Sequence, residues 1–168
     1  ARLEELVRGD LVRPAESGAP GLAAYAFTHL TLQNAAYDAM PYAQRADMHR
    51  AVSRWIDGHD TAAALPDLAV HHVERAAHYQ SQLGRLEDPL AEEAATRLLD
   101  LAFRTLNLEG DPAILSIVDK ALAIAPPLCP ATVELHAERV RLLTTMGRYE
   151  EARTALADLR DKIGRAHV

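Results

Sequence analysis

Gly147-Arg148-Tyr149-Glu150-Glu151-Ala152 sits between two stretches of helical patterning, Ala131 to Met146 and Tyr149 to Lys162. Glycine adopts the left-handed backbone that ends a helix without steric cost, so one helix should stop here and another start almost at once. The same punctuation occurs upstream. Ala91 to Asn107 reads as a helix, Gly110-Asp111-Pro112 breaks it, and Ala113 to Ala125 reads as a second helix ended by Pro126-Pro127. The two turn glycines lie 37 positions apart. Residues 89–162 are therefore expected to form two helix pairs in series.

Toward the N-terminus the helical pattern continues. Pro66 opens a helix whose inner face is expected to carry Leu68, Ala69, His72, Val73, Ala76 and Tyr79, with Gly84 and Pro89 marking the next break. Pro41 stands where a helix tolerates proline, in or beside its first turn. Met48, Ala51, Val52, Trp55 and Ile56 give that helix an apolar stripe, and Gly58-His59-Asp60 closes it. Leu30, Leu32, Ala35, Ala36, Tyr37 and Met40 are placed on one face of the helix before it. Residues 41–88 read as a helical linker bundle.

Only the first forty residues depart from this pattern. Residues 1–9 read as the end of a helix, with Leu3, Leu6 and Val7 on one face, and the natural start is expected upstream. Leu11-Val12-Arg13-Pro14 and Tyr25-Ala26-Phe27 alternate like two short strands around a turn holding Gly18, Pro20 and Gly21. Helix, hairpin, helix is the tail of a winged helix, and this hairpin is the only β structure expected.

Composition agrees. Hydrophobic residues make up 49% and charged residues 25%, the balance of a folded chain, while aromatics are only 5%. An interior of alanine and leucine favours closely packed helices over sheets. The net charge of −6 weighs against nucleic acid as the main partner, although Arg2, Arg8 and Arg13 give the first segment a basic edge. One cysteine, Cys129, cannot form an internal disulfide, which fits a cytoplasmic location. No apolar run is long enough for a membrane span.

Two resemblances refine the picture. Gly147-Arg148-Tyr149-Glu150-Glu151-Ala152, with Leu156 and Leu159, resembles the turn and second helix of a tetratricopeptide repeat. In that likeness Tyr149 packs into the turn and the small Ala152 lets two helices approach. Ala113 to Pro126 resembles the same second helix, with Pro112 near the usual aromatic, so the repeats are degenerate. Tyr25-Ala26-Phe27-Thr28-His29-Leu30, then Ala35-Ala36-Tyr37, Arg45, His49 and Ala69-Val70-His71-His72-Val73-Glu74, are similar to the region joining a winged helix to helical repeats in bacterial signal-transduction ATPases. Those are the predicted ATPases attached to class III adenylate cyclases or to LuxR-type transcriptional regulators.

The resemblance implies an all-α fold: a winged-helix remnant with one β-hairpin over residues 1–40, the linker at 41–88, and a tetratricopeptide-like superhelix at 89–162. It also implies an ATPase domain upstream as the first partner, further repeats downstream, and ATP or ADP bound in the parent protein. This segment needs no cofactor of its own. Residues 163–168, Ile163-Gly164-Arg165-Ala166-His167-Val168, resemble the translation of a sequencing adapter and are expected to be a non-native tail.

Chemistry-bearing residues are few. The phosphate loop Gly-x-x-x-x-Gly-Lys-Ser/Thr does not occur. Ser53, Ser81, Ser116 and Cys129 lack the setting of a nucleophile, so no catalytic residue is expected. His71, His72 and His78 fall short of a zinc set, and one of them is expected to be packed and hydrogen-bonded between helices. Glu92-Glu93 and Glu150-Glu151 are read as first-turn acids facing the helix dipole. By the resemblance, His29 touches a nucleotide β-phosphate in the parent. Repeat arrays bind partners along a concave surface, for which the candidates are Arg97, Arg104, Glu134, Glu138 and Arg141. The partner is expected to be a protein, a small-molecule inducer or a sister copy, and DNA is the weaker alternative.

Overall fold

The computed structural model describes residues 2–16, 23–58, 66–105, 111–127 and 129–166, the side chains of 66 and 161–166 excepted. The order is α1 (Arg2–Arg8), β1 (Val12–Ala15), β2 (Ala24–Phe27), α2 (Leu30–Asp38), α3 (Tyr42–Asp57), α4 (Pro66–Gln82), α5 (Asp88–Thr105), α6 (Asp111–Ile124), α7 (Pro130–Thr145) and α8 (Tyr149–Ala166). The two strands pair antiparallel, with Val12 opposite Phe27 and Ala15 opposite Ala24. They form the only sheet among the described residues. No helix there is long and apolar enough to cross a membrane. The helix α8 runs through residue 166, so the suspected tail continues its backbone.

Helix ends explain much of this order. At the end of α7 the Gly147 amide donates to the Thr144 carbonyl at 3.0 Å, and the Arg148 amide to Leu143 at 2.8 Å. Gly147 has φ +73°. This pair of bonds satisfies carbonyls that the helix leaves open, and it needs a left-handed residue. The end of α4 repeats it, with Gly84 at φ +65° and the Arg85 amide donating to Gln80 at 2.9 Å. At the end of α1 the same pair of bonds runs through Asp10, a non-glycine residue at φ 53°. Gly110 lies outside the described residues.

From α3 onward each helix packs on its neighbour in the chain, and α5 also meets α7. The apolar core runs through α4 to α8. Ala94, Ala95 and Ala102 of α5 and Ala121 of α6 are fully enclosed, so the helices sit close together. Leu135, Leu142 and Leu143 of α7 fill the remaining space and are wholly buried. Each such leucine contributes about 2 kcal/mol of burial free energy.

The expected faces need several corrections. On α3 the buried residues are Ala46, His49, Ser53 and Ile56. Trp55 is 42% exposed, because the helix turns its small and polar side chains toward α4. No residue of α2 is buried. The reason is that α2 packs mainly on β2, so only Leu32, Tyr37 and Met40 of its expected face are even half-covered. Tyr149 stands 67% exposed instead of packing into the turn, whereas Ala152 is buried against α7 as expected. Leu68 is exposed, but Ala69, Val73, Ala76 and Tyr79 are buried.

Candidate functional site

Among the described residues, the segment before α3 meets the helical body chiefly through a polar joint. The Tyr37 hydroxyl on α2 lies 2.8 Å from His49 Nε2 on α3 and 2.9 Å from the Tyr79 hydroxyl on α4. His49 Nδ1 lies 2.7 Å from His72 Nδ1, again on α4. The Tyr79 hydroxyl accepts from Arg75 at 2.5 Å and from Arg45 at 3.4 Å. Arg45 also donates to the carbonyls of Met40 and Asp38, at 2.9 and 2.8 Å, clasping the end of α2. Its guanidinium rests 4.6 Å from the centre of the Tyr37 ring. Six side chains from three helices thus make one network at the joint.

Periodicity places them. His72, Arg75 and Tyr79 recur three and four residues apart on α4, and Arg45 and His49 are four apart on α3, so each set shares a face.

Electrostatics follow from crowding donors in a partly dry place. Burial pushes the His49 imidazole down to about 4, helped by the charges of His72, His71 and Arg75. His72 is lowered too, by burial and by His71. Burial works to raise the Tyr79 hydroxyl, but its hydrogen bonds with Tyr37, Arg45 and Arg75 outweigh it and leave it lowered. Burial, then the bond with Tyr79, raises Tyr37. Both histidines are therefore neutral at pH 7.

His49 has a partner on each ring nitrogen, Tyr37 at 2.8 Å and His72 at 2.7 Å, so as a neutral imidazole it donates to one and accepts from the other. Such a chain can position three helices. Among the described residues no three His, Cys, Asp or Glu side chains are grouped to hold a metal ion. As expected of one of the three histidines, His72 is half-buried and hydrogen-bonded between helices.

Residues singled out in the sequence are spread more widely. His29 is exposed at the N-cap of α2, and its side chain makes no capping hydrogen bond. Arg97 and Arg104 line one groove of about 560 Å³ with Asp57, Val70, Asp100 and Phe103. Arg97 there is bound to Asp57 and Glu93, and Arg104 lies 3.3 Å from Asp67. Glu138 is buried and grips Arg141 at 2.5 Å. Glu134 is exposed, and no ion pair among the described residues engages it. The acids Glu92 and Glu93 fall past the first turn of α5, which starts at Asp88, and Glu93 bonds Arg50 at 2.5 Å as well as Arg97. Glu150 and Glu151 do lie in the first turn of α8. The Tyr37–His49–Tyr79 meeting was not foreseen. The spacing on α4 was its only trace in the sequence.

No protein family, curated protein or solved structure gives a significant match to this chain.

Proposed function

We propose that this chain is the regulatory, partner-binding arm of a larger ATP-dependent bacterial signalling protein, and is not itself an enzyme. The observation that carries the reading is the open apolar surface of the first segment. Leu3, Leu6, Leu11, Tyr25, Phe27 and Leu30 are all between 39% and 69% exposed. The helices from α4 onward share one continuous apolar core, with Leu68, Phe103, Val133, Tyr149 and Leu156 exposed singly around it. Soluble modules rarely leave so much large apolar side chain uncovered unless something docks there.

The occupant favoured is an ATPase domain preceding this segment, as the resemblance to cyclase-linked and LuxR-type ATPases implies. The helices α5 to α8 would then be the tetratricopeptide-like superhelix that receives an inducer, a protein or a sister copy. Contact of α5 with both α6 and α7 supports that part of the reading. His29, exposed at the start of α2 and next in the chain to the exposed Leu30, is the residue that would contact nucleotide in the parent. Ligand state would reach the ATPase as a shift in population between two arrangements.

The test is the flanking gene sequence together with nucleotide release. A phosphate loop upstream and faster ADP release from a His29→Ala parent are expected. A start codon beside Ala1 with no ATPase would leave a helical scaffold and end the proposal.

A further inference from the structure

We propose that the Tyr37–His49–His72 chain is an acid-opened latch, in which protonation of the histidine pair frees α2 and the hairpin from α3 and α4. Both ring nitrogens of His49 are engaged, Nε2 with the Tyr37 hydroxyl at 2.8 Å and Nδ1 with His72 Nδ1 at 2.7 Å, and a neutral imidazole donates through one and accepts through the other. A proton added to His49 makes both nitrogens donors, so one partner must change from donor to acceptor.

Where that partner is Tyr37, its own proton must turn away from His49, and the Tyr79 oxygen beside it already accepts from Arg75 and Arg45. Where it is His72, its Nδ1 must be free of a proton, or two N–H groups meet across 2.7 Å. Either change rearranges a link between helices and adds a cation to it.

The surroundings reinforce this. Tyr37 of α2 faces His49, as do His71, His72, Arg75 and Tyr79 of α4, with Arg45 one turn away on α3 itself. Two of these groups are fixed cations, and none is a carboxylate. The nearby acids are taken: Asp38 faces Arg45, and Glu74 acts on Arg75. Among the described residues no ion pair joins an acid to either imidazole.

The release has a place to act. The segment before α3 reaches the body mainly through Tyr37 and the Arg45 clasp, because α2 otherwise packs on β2. Lowered imidazole pKa values fix the direction. Docking is at full strength above the ordinary histidine pKa near 6.5 and weakens as the pH falls from there toward the His49 value of about 4, with His72 lowered in the same direction.

Hydrogen–deuterium exchange on the intact chain, corrected for intrinsic rates, reads the latch directly. Between about pH 7.5 and about pH 5, exchange of α2 and the hairpin should rise by about tenfold while α6 to α8 stay protected. In His49→Gln that rise should vanish. An NMR titration of the imidazoles in the unsubstituted chain needs no variant, and the α2 resonances should move with those of His49 and His72. Unchanged α2 exchange would overturn the proposal. So would an equal rise across all helices, or α2 resonances that move independently of both imidazoles.

Discussion

Arg97 holds Asp57 with both arms of its guanidinium, Nη1 at 3.0 Å from Oδ1 and Nη2 at 2.6 Å from Oδ2, and the same Nη2 reaches Glu93 at 2.9 Å. This ties the end of α3 to the middle of α5. The hydrogen bond from Arg97 is the main reason that the Asp57 carboxyl sits below its ordinary range. Arg97→Ala should cost about 1 kcal/mol, since bidentate geometry exceeds that of an ordinary surface pair while both groups stay partly in water. Urea denaturation would measure it. The contribution of a lowered carboxylate is whole above the unfolded pKa near 4 and is lost as pH falls through the folded value. That window lies below the one assigned to the histidine pair.

Left-handed positions give a second prediction of opposite signs. Gly147→Ala places a side chain at φ +73° with nothing within 4 Å of the new Cβ, so backbone strain alone should cost about 1 kcal/mol. Asp10→Gly relieves the same strain at φ 53° and should gain about 0.5 kcal/mol, part of the relief being spent on glycine's freedom in the unfolded chain. Paired thermal melts would show a fall for the first and a small rise for the second.

Ser53 is fully enclosed, and its hydroxyl has no hydrogen-bond partner among the described residues. A buried hydroxyl without a partner carries its desolvation penalty unrepaid. Ser53→Ala should therefore be neutral or stabilising by up to about 1 kcal/mol. A loss of more than about 1 kcal/mol in chemical denaturation would mean that the hydroxyl is engaged.

Burial separates the two kinds of leucine. Leu135 is fully enclosed in α7, and Leu135→Ala should cost about 3 kcal/mol. Leu6 is 41% exposed on α1, and Leu6→Lys should change stability by no more than about 0.5 kcal/mol. If the first segment docks on a partner, the same Leu6→Lys change should abolish that association, as read by co-purification from the parent protein.

Helices were legible in the sequence because their punctuation is strong. Pro41, Gly58, Pro66, Gly84 and Gly147 all stand at observed helix ends, and the hairpin strands fall where alternation put them. Faces were less legible. On α3 the buried set is Ala46, His49, Ser53 and Ile56, which an apolar stripe through Trp55 could not reveal. Those small and polar groups are inside because α4 offers His72 and Tyr79 opposite them, and only tertiary pairing decides that. For the same reason Arg97 and Glu138, placed on a binding surface by sequence, are held by acids and bases of this chain.

Packing of each helix on its chain neighbour also bears on how the protein acquires its shape. Contacts between near neighbours close short stretches of chain, and chains dominated by such contacts fold in microseconds to milliseconds. The final helix, α8, rests on α7 and the first segment hangs on the α2 joint, so each can come away without exposing the interior of α5 and α6. Loss of structure should then proceed from the two extremities inward, leaving the alanine-lined middle as the last part to melt.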